Sequence, residues 1–285
     1  VNALWKGDTG KGQVLSGMSI EEALRILQIE PDVKPTQAQW LHRKADGADW
    51  YMVCAPQEGR FEGQMEFHTT GRAELWNPMN GTIEPMNSTE KDGYTSISMK
   101  LEQGECKYVV FHHDGRKQKV PTRSSSTIPL DHLRWTLTFP KGWGADQPLT
   151  ISRLQPWCEL PLSDEGKAFS GTVTYETSFQ MDKLHRKSQY LIRLGQVEEI
   201  AVVKVNDAVA DTLWALPYET DITPYLRKGE NKLTIEVVST WHNRLAYDAS
   251  LPEKERKTWV LAGPRAGSEL KRYGMMGPVE MEERR

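Results

Sequence analysis

Along most of this chain apolar and polar residues alternate with the two-residue period of a half-buried strand. Helical spacing of apolar positions is rare. From Gln39 onward, WLHRKADGADWYMVCAP predicts two strands around a turn at Asp46-Gly47. RFEGQMEFHTTG alternates next, then RAELWNPMNGTIEPM with a hairpin signal at Asn80-Gly81. YTSISMKLEQGECKYVVFHH follows, turning at Gln103-Gly104. Short strands at this density predict a small β-sandwich over residues 36–113. Residues 114–130, opening on DGRKQKVPTRSSST, are polar and serine-rich and are expected to be a linker.

The alternation resumes in LRWTLTFPKGW, FSGTVTYETSF, QYLIRLGQVEEIAVVKVND, NKLTIEVVSTW and a closing GPVEM. Turn signals at Ala145-Asp146, Asn206-Asp207 and Lys228 to Asn231 punctuate it. A second, larger sandwich over residues 131–285, of jelly-roll type, is expected. One segment alone shows a helical pattern. In MSIEEALRILQIEPDV, Ser19 caps, Glu22 completes a capping box, and Ala23, Leu24 and Leu27 share an apolar face. The helix should stop near Ile29, before Pro31, and pack on the first sandwich. The fold class is therefore all-β: two consecutive β-sandwiches with one short N-terminal helix, residues 1–35 forming the tail of an upstream region. The glycine-rich stretch from residue 1 to 17 is expected to be irregular.

Composition sharpens this picture in a few places. Ten tryptophans with 22 glycines and 16 prolines suit many short strands and turns, and aromatic plates also suit sugar rings. A net charge of −3 leaves no electrostatic footprint for nucleic acid or an anionic membrane. No apolar run approaches the ~20 residues of a membrane span. Cys54, Cys106 and Cys158 are odd in number and far apart, which predicts three unpaired, buried thiols rather than a disulfide framework or a zinc site. The chain starts at Val1, which reads as a cut from something longer.

The chemistry of the common enzyme scaffolds is missing. A single helix excludes (β/α)8 barrels and dinucleotide folds, and no GxGxxG, GxxxxGK[ST], GxSxG or HExxH occurs. His112 and His113 are strand neighbours, so they point to opposite faces and cannot share a metal. No metal or cofactor is expected; a structural calcium is compatible with the chain but not indicated by it. Paired carboxylates for glycoside hydrolysis come from distant strands and cannot be located by spacing.

Two segments are candidates for ligand contact. The loop Ala215-Leu216-Pro217 is flanked by Trp214 and Tyr218. The strand VVST is expected to end in Trp241, His242, Asn243 and Arg244: an aromatic plate, a titratable ring, an amide and a fixed cation in a row. That run suits a structural corner, the substrate side of a larger enzyme, or an independent sugar site; a nucleophilic role for His242 lacks a serine or cysteine partner. Asp221-Ile222-Thr223-Pro224 should cap a turn, and Trp76 should be a plate between the sheets.

The second half resembles the galactose-binding-type jelly roll of large glycoside hydrolases. The signature is the turn Val205-Asn206-Asp207, the strand Asp211-Thr212-Leu213-Trp214, the triplet Asp221-Ile222-Thr223, and the turn and strand from Gly229 to Val237. The family 2 β-glycosidases share it loosely. FSGTVTYETSF, the W-x-N-R-L run from Trp241 to Leu245, and G-x-x-G-P-V from Gly274 to Val279 resemble the family 106 α-L-rhamnosidases. So do LHRKADGADWYMVCAP and AELWNPMNGTIEPM, in the same order, so the resemblance covers nearly the whole chain. Asp207 stands where the family usually has glycine, and Asn77 where it often has aspartate.

The resemblance implies a non-catalytic C-terminal accessory region, scaffolding a rhamnosidase-like glycoside hydrolase and contributing to carbohydrate binding. In that family catalysis resides in an N-terminal barrel that this sequence lacks, so no catalytic residue carries over and the chain alone is expected to be inactive. The segment at 19–29 resembles the connection out of that barrel. The implied partners are the missing catalytic domain and a rhamnose- or galactose-containing plant or microbial polysaccharide. The implied location is periplasm or cell surface, as part of an exported precursor. A stand-alone carbohydrate-binding or adhesion protein is the alternative, and a small self-contained β-sandwich lyase a more distant one.

Overall fold

The computed structural model describes residues 14–116, 119–121, 124–130 and 132–285. Most of the glycine-rich start therefore lies outside the described residues. The chain divides into two compact units, Val1–Pro121 and Thr122–Arg285.

In the first unit, helix α1 (Ile20–Ile26) has the expected capping box. Ser19 Oγ accepts from the Glu22 N–H at 3.2 Å, and the Glu22 carboxylate accepts from the Ser19 N–H at 2.9 Å. It ends sooner than Ile29 because Gln28 turns left-handed (φ 55°), the conformation that closes a helix. None of its residues is buried, so its apolar face does not pack into the sandwich core.

Eight strands follow: β1 (Gln39–Ala45), β2 (Ala48–Cys54), β3 (Phe61–Phe67), β4 (Arg72–Trp76), β5 (Ile83–Pro85), β6 (Thr89–Lys91), β7 (Tyr94–Leu101) and β8 (Cys106–His112). They form antiparallel sheets ordered β1-β2-β8-β4-β5 and β3-β7-β6. The β1–β2 hairpin turns on Asp46 and Gly47, both at positive φ, as a two-residue primed turn requires. Tyr51, Val53, Val109 and Phe111 from one sheet meet Phe61, Met65, Phe67, Ile97 and Leu101 from the other in a single core. Ala73 and Leu75 of β4 face that core, so Trp76, one position on, faces away and packs edge-on against Trp50 at 4.9 Å. The expectation that Trp76 lies between the sheets is corrected by this register.

The expectation of three unpaired thiols is also corrected: Cys54 and Cys106 form a disulfide, and Cys158 is free. Their sequence separation of 52 conceals that β2 and β8 are antiparallel neighbours with Cys54 directly opposite Cys106.

The second unit comprises β9 (Ser125–Pro129), β10 (Trp135–Thr138), β11 (Leu149–Ile151), helix α2 (Asp164–Lys167), β12 (Thr172–Met181), β13 (Gln189–Arg193), β14 (Gln196–Glu198), β15 (Ile200–Val205), β16 (Ala208–Leu213), β17 (Glu219–Asp221), β18 (Gly229–Val238), helix α3 (His242–Ala249), β19 (Gly274–Gly277) and β20 (Glu280–Arg284). A six-stranded sheet, β11-β10-β12-β18-β15-β16, faces a four-stranded one, β17-β13-β20-β9; β14 and β19 form a separate pair. Its core draws Tyr175, Val203, Leu233 and Ile235 from the larger sheet and Tyr190, Ile192 and Met281 from the smaller. The expected linker 114–130 is shorter, because Ser125–Pro129, exposed except for the half-buried Ile128, pairs with β20 as an edge strand.

Candidate functional site

Pairing places the two candidate segments at one end of the six-stranded sheet. Leu213 of β16 lies opposite Ala201 of β15, which lies opposite Val237 of β18. The chain thus leaves β16 toward Trp214, and β18 toward Trp241, from the same edge. The two exits are two strand spacings apart, roughly 10 Å.

The run after β18 does not continue as a strand end; it turns into α3, opened by the Leu245 N–H bonding the Trp241 carbonyl at 3.0 Å. The buried positions of α3 are Asn243, Arg244, Ala246 and Asp248. A helix that buries polar residues carries no apolar stripe, and that is why the sequence pattern misses it. Its buried face is satisfied by hydrogen bonds instead. Asn243, wholly inaccessible, donates to the Lys271 carbonyl and accepts from the Lys271 N–H, both at 2.8 Å. Arg244, 1% exposed, forks onto Asp248 through Nε (3.1 Å) and Nη2, reaches Glu165 Oε1 through Nη1 at 2.7 Å, and donates its backbone N–H to Ser170 Oγ at 3.0 Å.

Asp248 also accepts from the backbone and hydroxyl of Thr258 at 2.7 and 2.6 Å and from the Lys257 N–H at 3.1 Å. Burial opposes its charge, but bonds from Arg244 and Thr258 prevail and hold its carboxyl below the ordinary range. Burial likewise opposes the Arg244 charge, and the carboxylates of Asp248 and Glu165 overcome it. Bonds from Lys257 and Arg244 draw the Glu165 carboxyl down. One aspartate thereby fastens α3 to the loop that follows it.

Over this network lies an aromatic layer. The Trp143 ring is contacted by the Arg244 guanidinium and by Lys257 Nζ, each 5.2 Å from its centroid. Trp241 meets Trp143 edge-on at 6.2 Å and remains 50% exposed. Trp214 is 64% exposed. Tyr218 is buried, its hydroxyl donating to the Glu199 carbonyl at 2.5 Å. His242 is half-buried, with Nε2 facing the Glu269 carbonyl at 3.1 Å. Of the six sequence candidates, Trp214 and Trp241 face solvent most openly, while Asn243 and Arg244 are committed to internal partners.

Sequence reasoning passed over Trp259 and Leu261, which are 77% and 88% exposed just beyond the Thr258 anchor. Their signal was an apolar triplet, Trp259-Val260-Leu261, inside an otherwise charged segment. The Asp221 carboxylate caps the turn after it, accepting from the Thr223 N–H at 2.8 Å, with Pro224 inside the first turn. His112 and His113 diverge as strand neighbours do, His112 to Glu74 at 2.9 Å and His113 to Asp49 at 2.7 Å. Among the described residues no group of three or more histidine, cysteine or acidic side chains is placed to hold a metal ion, and no helix is long and apolar enough to cross a membrane.

Comparison with known proteins fits this architecture. Residues 1–90 match the alpha-L-rhamnosidase family of glycoside hydrolases (family 106), and residues 167–271 match the glycosyl hydrolase 2 galactose-binding domain-like family. The chain is similar to rhamnosidase-type glycoside hydrolases. A rhamnosidase from Novosphingobium sp. PP1Y superposes on 98% of it with a TM-score of 0.83 and 30% identity, over 28% of that enzyme's chain. A putative beta-glucuronidase of Formosa agariphila is 32% identical over 64% of this chain and 18% of its own length. A beta-galactosidase of Clostridium acetobutylicum is 35% identical over 33% of this chain and 11% of its own. This glycoside-hydrolase-related chain thus spans less than a third of each of these relatives.

Proposed function

We propose that this chain is a non-catalytic accessory region of a rhamnosidase-like glycoside hydrolase, acting as scaffold and contributing carbohydrate contacts from the loop end of its second sandwich. The observation that carries the reading is the pair Trp214 and Trp241, 64% and 50% exposed on the segments that leave one end of the six-stranded sheet. Exposed tryptophans of this kind stack on pyranose rings, while buried polar groups hold the platform still. In this reading Trp214, Trp241 and the half-buried His242 touch sugar; Tyr218, Asn243 and Arg244 position them. The acid and base of hydrolysis belong to a catalytic domain outside this sequence, so the chain alone leaves aryl rhamnosides intact. Export to the periplasm or cell surface is supported by the Cys54–Cys106 disulfide, since such bonds persist in oxidising compartments.

Calorimetric titration with rhamnose- or galactose-containing oligosaccharides tests the sugar contact. With only part of a pocket present, affinity on the order of millimolar is expected. Trp214→Ala and Trp241→Ala should each abolish it while circular dichroism stays unchanged. Flat titrations of the wild-type chain at tens of millimolar sugar would remove the carbohydrate role from this region.

A further inference from the structure

The first unit contains a polar cleft of about 610 Å³, a volume suited to one or two sugar rings. Thr70, Gly71, Asn87, Ser88, Glu90 and His113 line it. Its chemistry is organised by a carboxylate beneath it. Asp49 is 3% exposed and accepts from His42 Nε2 at 2.7 Å through one oxygen, and from His113 Nε2 at 2.7 Å and Thr69 Oγ1 at 2.8 Å through the other. With Nε2 aimed at an aspartate oxygen, the proton of the neutral His113 ring sits on Nε2 and the lone pair on Nδ1.

Gly71 keeps that lone pair uncovered. A Cβ there would lie 3.5 Å from His113 Nδ1 and 2.6 Å from the His112 carbonyl oxygen, at a φ of +129° that favours glycine. The Gly71 N–H donates to Glu90 Oε1 at 2.9 Å, fixing that carboxylate at the rim. Of the two cations at the wall, Arg72 is spent on Glu74 and Asp114, while Arg116 is largely exposed and only loosely held by Asp114 at 3.8 Å. What the cleft offers a ligand is therefore acceptors, the His113 lone pair and the Glu90 carboxylate, and donors, the Arg116 guanidinium and the Asn87 amide, beside the hydroxyls of Thr70 and Ser88. Acceptors call for O–H donors and donors for hydroxyl and ring oxygens, and the Glu90 and Arg116 charges offset one another in the lining, which suits an uncharged polyhydroxylated ligand.

The geometry points to a second carbohydrate site, in the first unit, that takes an uncharged pyranose by its neighbouring hydroxyls and in which His113 is a direct contact. It shares no residue with the tryptophan platform, so the two readings fail independently. Amide-resolved NMR of the full chain, titrated with methyl α-L-rhamnopyranoside, methyl β-D-galactopyranoside and sodium glucuronate, decides it. Expected are shifts at the Gly71, Ser88 and Glu90 amides with one or both neutral glycosides, unchanged in Trp241→Ala. The exposed pair Asn87→Ala/Ser88→Ala should raise the apparent Kd about tenfold, and His113→Ala should do the same. Silence at these amides, a Kd unmoved by Asn87→Ala/Ser88→Ala, or tighter binding of glucuronate would each overturn the assignment.

Discussion

Arg244 is where one side chain decides most. It is buried and paired on both sides, with Asp248 and Glu165, and stacked against Trp143. Removing it leaves an uncompensated carboxylate in Asp248 and costs about 3–5 kcal/mol, the usual penalty for breaking a buried pair. In urea unfolding, Arg244→Ala should lower the second unit's stability by that amount, with Arg244→Lys in between because an ammonium cannot fork onto two carboxylates. A loss under about 1 kcal/mol in the alanine variant would mean that the pair is idle. The sequence showed which residue types gather here but not which of them point inward. Trp241 and Arg244 are three apart on paper, yet one is half-exposed and the other sealed. Asp207 is similar: it occupies a left-handed turn position (φ 67°) where the resembling family has glycine, and only the structure shows that an aspartate fits there.

At the scale of elements, what was legible was what alternates. β12 and β18 pair over ten residues, Thr172 with Val238 through Met181 with Gly229, and both are plain two-residue patterns in the sequence. What escaped was held by something other than apolar burial. α3 is sustained by amide, guanidinium and carboxylate bonds, and β9 by backbone pairing at a sheet edge. The disulfide escaped because partnership across a sheet depends on register, which spacing along the chain does not encode. Joining β2 to β8 across 52 residues, it narrows the unfolded ensemble and is worth about 2–4 kcal/mol. Cys54→Ser/Cys106→Ser should lower the melting transition of the first unit while leaving that of the second in place. An unshifted first transition would show that the sheets need no such tie.

For the whole molecule, acid is the informative stress. Asp49 has its carboxyl lowered from 3.8 to about 2: burial pushes it up, and the bonds from His42, Thr69 and His113 outweigh burial. A depressed folded-state value means that this stability is complete above 3.8 and is lost as the pH falls through about 2. Denaturation curves of the wild-type first unit should steepen over that window, and those of Asp49→Asn should run flatter there from a lower starting stability. Parallel curves would place acid sensitivity elsewhere. The pairing of β9 with β20 has a different sort of consequence. Ser124 and Arg285 exchange backbone hydrogen bonds, at 3.3 and 2.9 Å, so the strands that open and close the second unit lie side by side. A fold whose entry and exit are adjacent behaves like a cassette. It can be inserted into a host chain, reordered by circular permutation or lost, with little disturbance of the path on either side.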